Sequence, residues 1–265
     1  ISAVEHPAVY ESARQLERLG FGLTVLPVDG EGFVSADDLA AIMDGDVFLV
    51  SVMSANNETG SIQPVRELAE IAHGFGALFH TDAVQTAGAL PVSVKEIGAD
   101  MLSLSAHKFG GPKGFGALYV KNGVRLEPLH SGGEQERGRR GGTSDVAGAA
   151  GTAAALTAAC AEMAAKSAEI RALKDGFAAR VLERIPGARL HGTLDAARSL
   201  PGIVNFGFDG ITGEELLFSL DLEGVCASNG SACSAGSSAP SRTLLAMGLT
   251  AAEARGAVRF SFGRT

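Results

Sequence analysis

The 265-residue sequence has no tryptophan, two tyrosines and three cysteines. Cys160, Cys226 and Cys233 form no Cys-x-x-Cys pair, so we expect no zinc or other metal site. Any single disulfide would leave one cysteine unpaired, and disulfides persist mainly in oxidising compartments. The cysteine content therefore favours a reducing compartment, and we predict a cytoplasmic protein.

Positive charge and long apolar runs are also scarce. The net charge is −8, and no run of Lys or Arg is long enough to follow a phosphate backbone. A membrane span needs about 20 consecutive apolar residues. The nearest approach is the Ala-rich stretch 147–165, which is interrupted by Glu162. We therefore expect neither a nucleic acid nor a membrane as a partner.

The bulk composition is that of a packed globular protein. Hydrophobic residues make up 46% of the chain and charged residues 20%, and the length fits one large or two ordinary domains. The sequence opens on Ile1 rather than Met and ends at Thr265, directly after a strand pattern. We therefore expect that an N-terminal part and a C-terminal tail are missing, so that a targeting signal cannot be assessed.

Strand and helix patterns alternate through the first half of the chain. Strands are predicted at 22–28, 47–52, 77–82, 100–105 and 115–120, with helices beginning at Ser35 and Pro64 between them. This alternation predicts an α/β fold, in which helices cover both faces of a mainly parallel sheet.

The pattern changes after about residue 144. A long Ala-rich helix is interrupted near Pro186 and is followed by a strand at 202–208, a helix from Gly213 and a strand at 257–263. We therefore predict a large domain over 1–150, followed over 151–265 by a linking helix and a smaller α+β C-terminal domain.

Polar residues cluster after three of the predicted strands. In an open α/β sheet, ligands bind at the carboxyl ends of the strands. Taken singly, each polar residue there has an ordinary explanation as a turn former or a solvated side chain. Their repeated placement at strand ends favours a binding site instead. The residues are Asn56, Asn57, Glu58, His80, Asp82, Gln85, Ser103, Ser105, His107 and Lys108.

Pyridoxal phosphate would account for the whole set, because its parts require different chemistry. Its aldehyde needs an amine, its ring nitrogen needs a carboxylate, and its phosphate needs several neutral donors. Lys108 supplies the amine, and Asp82 would keep the ring nitrogen protonated. The stretch GGPKG (110–114) also suggests a P-loop nucleotide site, but its spacing is wrong and no Ser or Thr follows the lysine.

Seven stretches carry a family resemblance that runs from Ile1 to Thr265. They are EHPAV (5–9), NNETG (56–60), HTDAVQTAG (80–88), SAHKFGGPKG (105–114), ERGRRGGT (136–143), SNGSACSAG (228–236) and VRFSFGR (258–264). In this order they resemble the cysteine desulfurases of the NifS/IscS type, which are class V aminotransferases. The resemblance implies fold type I of the pyridoxal-phosphate enzymes and a homodimer. It also implies conversion of L-cysteine to L-alanine, with the sulfur passed as a persulfide to an acceptor such as an iron–sulfur scaffold protein.

The resemblance also implies how the cofactor is held. Lys108 would bind it as a Schiff base, Asp82 would pair with the ring nitrogen, and His6 would stack on the ring. The other implied contacts are to the ring hydroxyl from Asn57 and Gln85, to the phosphate from Ser105 and His107, and to the partner subunit's phosphate from Thr143.

Substrate binding and sulfur transfer are assigned in the same way. Arg259 would hold the substrate carboxylate through its planar fork, beside Asn57. Cys233 would accept the sulfur as a thiolate, and His6 is a candidate for handling a thiol proton. The sequence around Cys233 is consistent with this role, because it is rich in Gly, Ser and Ala and has no packing pattern. Cys160 and Cys226 lie in helical and apolar runs that are typical of buried cysteines.

Three alternatives to a cysteine desulfurase remain. A selenocysteine lyase or another class V aminotransferase would share Lys108 and Asp82, although the loop that contains Cys233 favours desulfuration. A non-catalytic partner could keep the same fold, but the intact set of lysine, aspartate and cysteine favours an enzyme.

Overall fold

The computed structural model describes residues 1–230 and 239–263. Its first part is built on a four-stranded sheet in the order β1-β2-β3-β4. Strands β1 (Leu49–Ser51), β2 (Leu78–Asp82) and β3 (Met101–Ser105) are parallel, and β4 (Gly116–Val120) is antiparallel to β3. The prediction of a mainly parallel α/β sheet is confirmed.

The helices of this part are α1 (Pro7–Arg18), α2 (Ala36–Ile42), α3 (Val65–Gly74), α4 (Val94–Ile97) and α5 (Gln135–Gly138). The two that the sequence predicts, α2 and α3, begin where expected. Ser35 caps α2, its Oγ accepting the N–H of Asp38 at 3.3 Å, and α3 begins directly after Pro64. Leu68 and Ala72 of α3 pack with Val50 and Phe79 in the core of the sheet.

The second part has an antiparallel sheet in the order β5-β6-β7. Its strands are β5 (Arg189–His191), β6 (Ile203–Gly207) and β7 (Ala257–Ser261), and its helices α7 (Gly213–Leu222), α8 (Arg242–Ala246) and α9 (Ala251–Arg255). A capping box between Thr212 and Glu215 begins α7. The predicted strands at 202–208 and 257–263 and the helix from Gly213 are confirmed.

A single helix, α6 (Val146–Arg184), connects the two sheets. Ala159 packs with Phe109 beside the first sheet, and Ala178 and Val181 pack with Phe206 of the second. The predicted domain boundary at residue 150 falls inside this continuous helix, so the division into two domains stays a prediction.

Helix α6, which contains the Ala-rich stretch 147–165, is by length and composition apolar enough to cross a membrane, although the sequence analysis expected no span there. One such helix is weak evidence, because a core helix of a soluble protein passes the same test. Only 17% of the apolar window of α6 is buried, but two features tie the helix to the rest of the fold. Ala159, Ile170 and Ala178 are buried. Lys174, also buried, donates hydrogen bonds to Ser199 Oγ at 3.2 Å and Leu200 O at 3.0 Å.

The predicted strand at 22–28 is wrong. Only Leu26 pairs, through an isolated parallel bridge with Ser2. The run has strand-like residues, but a strand requires a partner along its whole length, and Pro27 has no N–H to contribute to a ladder. Leu26 is nevertheless buried in the core of the first sheet.

Gly88 sets the distance between the first sheet and α6, which leads to a stability prediction. Its φ is +76°, and a Cβ there would lie 3.0 Å from both Ala159 Cβ and Phe109 Cβ. We expect Gly88→Ala to lower the free energy of unfolding by about 2 kcal/mol, through overpacking and backbone strain. Gly74, where a Cβ would meet nothing within 4 Å, gives the matched control Gly74→Ala. Urea unfolding measures both, and equal midpoints for the two variants would contradict this packing.

Candidate active site

Lys108 lies on a short 3₁₀ turn, Ala106–Phe109, that directly follows β3. The turn is tied at both ends. The N–H of Ala106 donates to Phe115 O at 3.0 Å, and the N–H of Gly111 donates to Ala106 O at 2.8 Å. Gly110 ends the turn at φ +85°, and a Cβ on Gly111 would lie 2.9 Å from Ala106 Cβ. The glycines after the lysine therefore permit a tight turn, which fixes the Lys108 backbone at the carboxyl end of the sheet.

A cavity of about 550 Å³ brings four predicted site residues together from distant parts of the chain. These are Asn57, Gln85, Lys108 and Arg259. Its apolar wall includes Phe109, Ile170, Leu200 and Phe262. An amine, two amides and a guanidinium on a partly apolar wall form a suitable site for a small anionic molecule.

Strand β7 places Arg259 at this cavity. Its backbone forms an antiparallel bridge with Ser228, with N–O distances of 2.6 and 3.1 Å. Its Nη1 donates to the carbonyl oxygen of Asn57 at 2.8 Å. The guanidinium is thus held against the turn that carries Asn57, although the two residues are 202 positions apart.

Asp82, His6 and Lys108 form an electrostatic group next to the cavity. Asp82 ends β2, is 8% exposed, and accepts the N–H of Val84 at 2.9 Å. Burial raises the pKa of Asp82, while the Val84 hydrogen bond, His6 and Lys108 act to lower it. A buried carboxylate with this balance is suited to pair with one further cationic group.

His6 caps helix α1 and has a defined tautomer. Its Nδ1 accepts the N–H of Ala8 at 3.2 Å, so neutral His6 carries its proton on Nε2. Burial lowers the pKa of His6, Asp82 acts to raise it, and Lys108 and Arg242 lower it further. The neutral imidazole is therefore favoured near pH 7.

The other predicted residues are placed differently. Ser105 Oγ and His107 Nδ1 lie 2.8 Å apart, and His107 is exposed. Thr143 is exposed between α5 and α6. These three do not belong to the lining of the cavity within 1–230 and 239–263. Cys233 lies outside the described residues.

Sequence reasoning gave no role to His80, which connects three strands. Its Nδ1 lies 2.7 Å from Ser51 Oγ of β1, and its Nε2 lies 2.8 Å from Ser103 Oγ of β3. Burial lowers the pKa of His80 to about 4. The neutral His80 ring therefore links β1 to β3 across β2. A histidine flanked by serines on both neighbouring strands is visible only once the register is known.

The burial of His80 predicts how stability depends on pH. The unfolded chain takes up this proton near pH 6.5 and the folded chain only near pH 4, so acidification favours unfolding. Between pH 7 and 4 we expect the free energy of unfolding to fall by roughly 3 kcal/mol more in the wild type than in His80→Gln, whose amide offers a donor and an acceptor but does not titrate. Urea midpoints at three pH values measure the difference, and parallel profiles for the two proteins would refute the assignment.

Comparisons with known proteins identify the relatives of this chain. The family model described as aminotransferase class-V matches residues 1–265. The cysteine desulfurase IscS of Dictyoglomus turgidum is 48% identical over 262 residues, covering 99% of this chain. The cysteine desulfurase of Trichormus azollae is 46% identical over 263 residues, covering 98%. This chain spans 66% and 65%, respectively, of the length of these curated relatives.

Solved structures agree with the sequence relatives. A NifS-like protein, 37% identical, superposes with a TM-score of 0.90 over 99% of this chain and 68% of its own. SspA in complex with cysteine, 32% identical, gives a TM-score of 0.82 over 98% of this chain and 72% of its own.

Proposed function

The chain belongs to the aminotransferase class-V family, and from that premise we propose that the protein is a pyridoxal-phosphate-dependent cysteine desulfurase. Relatives named cysteine desulfurase, at 46 to 48% identity over nearly the whole chain, support the activity. The observation that carries the proposal is the single cavity that joins the Lys108 amine to the Arg259 guanidinium. That pairing suits an amino acid, which must present an amine and a carboxylate at the same time.

The donor set fits pyridoxal phosphate. Lys108 offers an amine to the aldehyde, and the buried carboxylate of Asp82 next to it would pair with the ring nitrogen. Asn57 and Gln85 at the cavity would reach the ring hydroxyl, and the Ser105–His107 pair would supply donors to the phosphate. The bound cofactor supplies an electron-withdrawing ring that weakens the bonds at Cα of the substrate.

Arg259 would orient L-cysteine by its carboxylate. The hydrogen bond from Nη1 to Asn57 O fixes the guanidinium, so little side-chain freedom is lost when the substrate binds. Lys108, at the same cavity, would move the proton at Cα, and neutral His6 would take a proton from the substrate thiol.

Sulfur transfer is assigned to Cys233. Its thiolate would form a bond to the sulfur of L-cysteine while the bond between that sulfur and Cβ breaks. The electron pair stays with Cβ, which takes a proton and becomes the methyl group of L-alanine. No external oxidant is required, because one sulfur is oxidised to the persulfide level as Cβ is reduced.

Further proposals concern partners and location. A persulfide on Cys233 would be passed to a sulfur-acceptor protein such as an iron–sulfur scaffold. A homodimer would allow Thr143 to reach the phosphate in the partner subunit. We place the protein in the cytoplasm, on the argument that its three cysteines suit a reducing compartment.

The experiment that tests the activity is a product balance. The purified protein is loaded with pyridoxal phosphate and given L-cysteine with a reductant, and alanine and sulfide are assayed together. Equimolar alanine and sulfide are expected. Turnover of L-selenocysteine alone would identify a selenocysteine lyase, and turnover only with an amino-acceptor keto acid would identify an aminotransferase. Either result would replace the proposed activity.

A further inference from the structure

Residues 198–203, here called the wall segment, form part of the cavity wall. Four of them line the cavity, namely Leu200, Pro201, Gly202 and Ile203. Before β6 begins at Ile203, the wall segment belongs to neither a helix nor a strand ladder. Its position therefore depends on the contacts that neighbouring elements make with it.

One set of contacts binds the wall segment to the turn that carries Asn57. The N–H of Leu200 donates to Gly60 O at 2.8 Å, and the N–H of Ile62 donates to Arg198 O at 2.9 Å. The carbonyl oxygen of Asn57, in the same turn, accepts from the guanidinium of the proposed substrate arginine. The wall segment and that arginine are thus connected through one short stretch of backbone.

A second set of contacts comes from two cations of α6. Arg171 Nη2 donates to Ser199 O at 2.9 Å, and its Nη1 donates to Ser199 Oγ at 3.4 Å. Lys174 Nζ donates to Ser199 Oγ at 3.2 Å and to Leu200 O at 3.0 Å. Residues three apart lie on the same face of a helix, so both cations reach the wall segment together. Hydrogen bonds from charged donors are stronger than neutral ones, which suits them to hold backbone in place.

Lys174 is placed where packing alone would favour an apolar side chain. It is 0% exposed, and the oxygens that accept from it on the wall segment are uncharged. Asp175 Oδ1 lies 3.5 Å from its Nζ. Burial lowers the pKa of Lys174, Asp175 acts to raise it, and Arg171 lowers it further. Burying an ammonium group costs free energy, so its presence here points to a role other than filling the core.

We propose that Lys174 and Arg171 are positioning residues, which hold the wall segment against the Asn57 turn and thereby fix the wall of the cavity against which the substrate binds. Neither belongs to the described lining of the cavity, so both act through Ser199 and Leu200. The inference rests on the proposed function for the identity of the ligand, L-cysteine. The contacts that hold the wall segment do not depend on it.

The test compares Lys174→Met, which keeps an unbranched apolar side chain but removes the ammonium group, with the control Lys166→Met on the same helix. Lys166 pairs with Glu169 at 3.1 Å and is outside the described lining of the cavity. The first readout is hydrogen exchange of the Leu200 and Ile62 amides in protein without cofactor. We expect exchange about tenfold faster in Lys174→Met and unchanged in Lys166→Met.

An internal reference shows whether a change in exchange is local. The Val52 amide donates to His80 O at 3.1 Å in the first sheet, and it should exchange at the wild-type rate in both variants. Unchanged exchange of the Leu200 amide in Lys174→Met would overturn the anchoring. Equal acceleration at Val52 and Leu200 would also overturn it, because the lysine would then stabilise the whole fold rather than the wall segment.

The second readout is the kinetics of the loaded enzyme. In Lys174→Met we expect KM for L-cysteine to rise about tenfold while kcat stays within about threefold, because the wall and the substrate arginine are displaced but Lys108 is not. Faster exchange with a wild-type KM would overturn the positioning role. If the wild type forms no alanine from L-cysteine, the proposed function fails, and the exchange data still decide whether the two cations hold the wall segment.

A further comparison applies if Lys174→Met does not fold. Ser199→Ala is then compared with Ser219→Ala, because each removes a hydroxyl that donates to the carbonyl four residues earlier, at 2.8 and 2.9 Å. The Ser199 hydroxyl also accepts from Arg171 and Lys174. We expect about tenfold faster exchange of the Leu200 amide in Ser199→Ala alone. Equal exchange in the two variants would contradict the anchoring.

Discussion

Lys108→Ala is expected to lose about 10³-fold or more of the rate of L-alanine formation. Two effects combine, because the Lys108 amine would both hold the cofactor covalently and move the Cα proton. The variant should also lose the visible absorbance band of protein-bound pyridoxal phosphate, which reports the covalent bond to the lysine. Absorbance spectra and alanine assays on the same preparations measure the two effects separately.

The matched control is Lys113→Ala. Lys113 is exposed, lies five residues further on in the same glycine-rich stretch, and is absent from the described lining of the cavity. It should keep both the band and the rate. A Lys108→Ala protein that kept the band would show that a different lysine binds the cofactor. A Lys113→Ala protein that lost it would show that the stretch, rather than one amine, matters.

Cys233→Ser should lower sulfide and alanine formation by a similar factor, about 10³-fold, since a hydroxyl is a far weaker nucleophile toward sulfur than a thiolate. The cofactor band and its response to L-cysteine should be unchanged, because Arg259 and Lys108 are untouched. The loss is therefore confined to the transfer step, unlike that in Lys108→Ala.

Cys160→Ser and Cys226→Ser are the controls for this prediction. Both cysteines are free and exposed, so the burial expected from their sequence context is wrong, and either thiol is accessible to a small reagent. Each variant should retain wild-type sulfide formation. If Cys226→Ser lost the activity and Cys233→Ser kept it, Cys226 rather than Cys233 would be the sulfur acceptor. The assignment of the cofactor site would be unaffected.

The sequence predicted those features of the site that depend on local pattern. Strand ends can be found from apolar runs, and parallel strands bring their carboxyl ends to one edge of the sheet. The sequence therefore predicts that Asp82 lies near Lys108. The run at 22–28 failed because strand propensity does not provide a pairing partner. The contacts of His80 and Glu58 could not be predicted in this way. Those of His80 depend on the register of neighbouring strands, and that of Glu58 is with Ser241, 183 residues away in the chain. Such long-range pairings leave no local signal.

The roles assigned to Ser105, His107 and Thr143 stay predictions for a physical reason. All three lie outside the described lining of the cavity, so their roles depend on where a phosphate would lie. Thr143 would act only across a subunit interface.

Helix α6 has a consequence for how the protein can tolerate insertions. Successive residues of an α-helix are rotated by about 100° around its axis. The number of residues between Ala159, which packs beside the first sheet, and Ala178, which packs against the second, therefore fixes the angle between these two contacts. A one-residue deletion between them would swing the second contact face by that angle and shorten the spacing by about 1.5 Å. Whole-turn changes in length would preserve the angle but still shift the Arg259 side of the cavity relative to Lys108. The number of residues in α6, rather than their composition, therefore sets the position of the Arg259 side of the cavity relative to the Lys108 side.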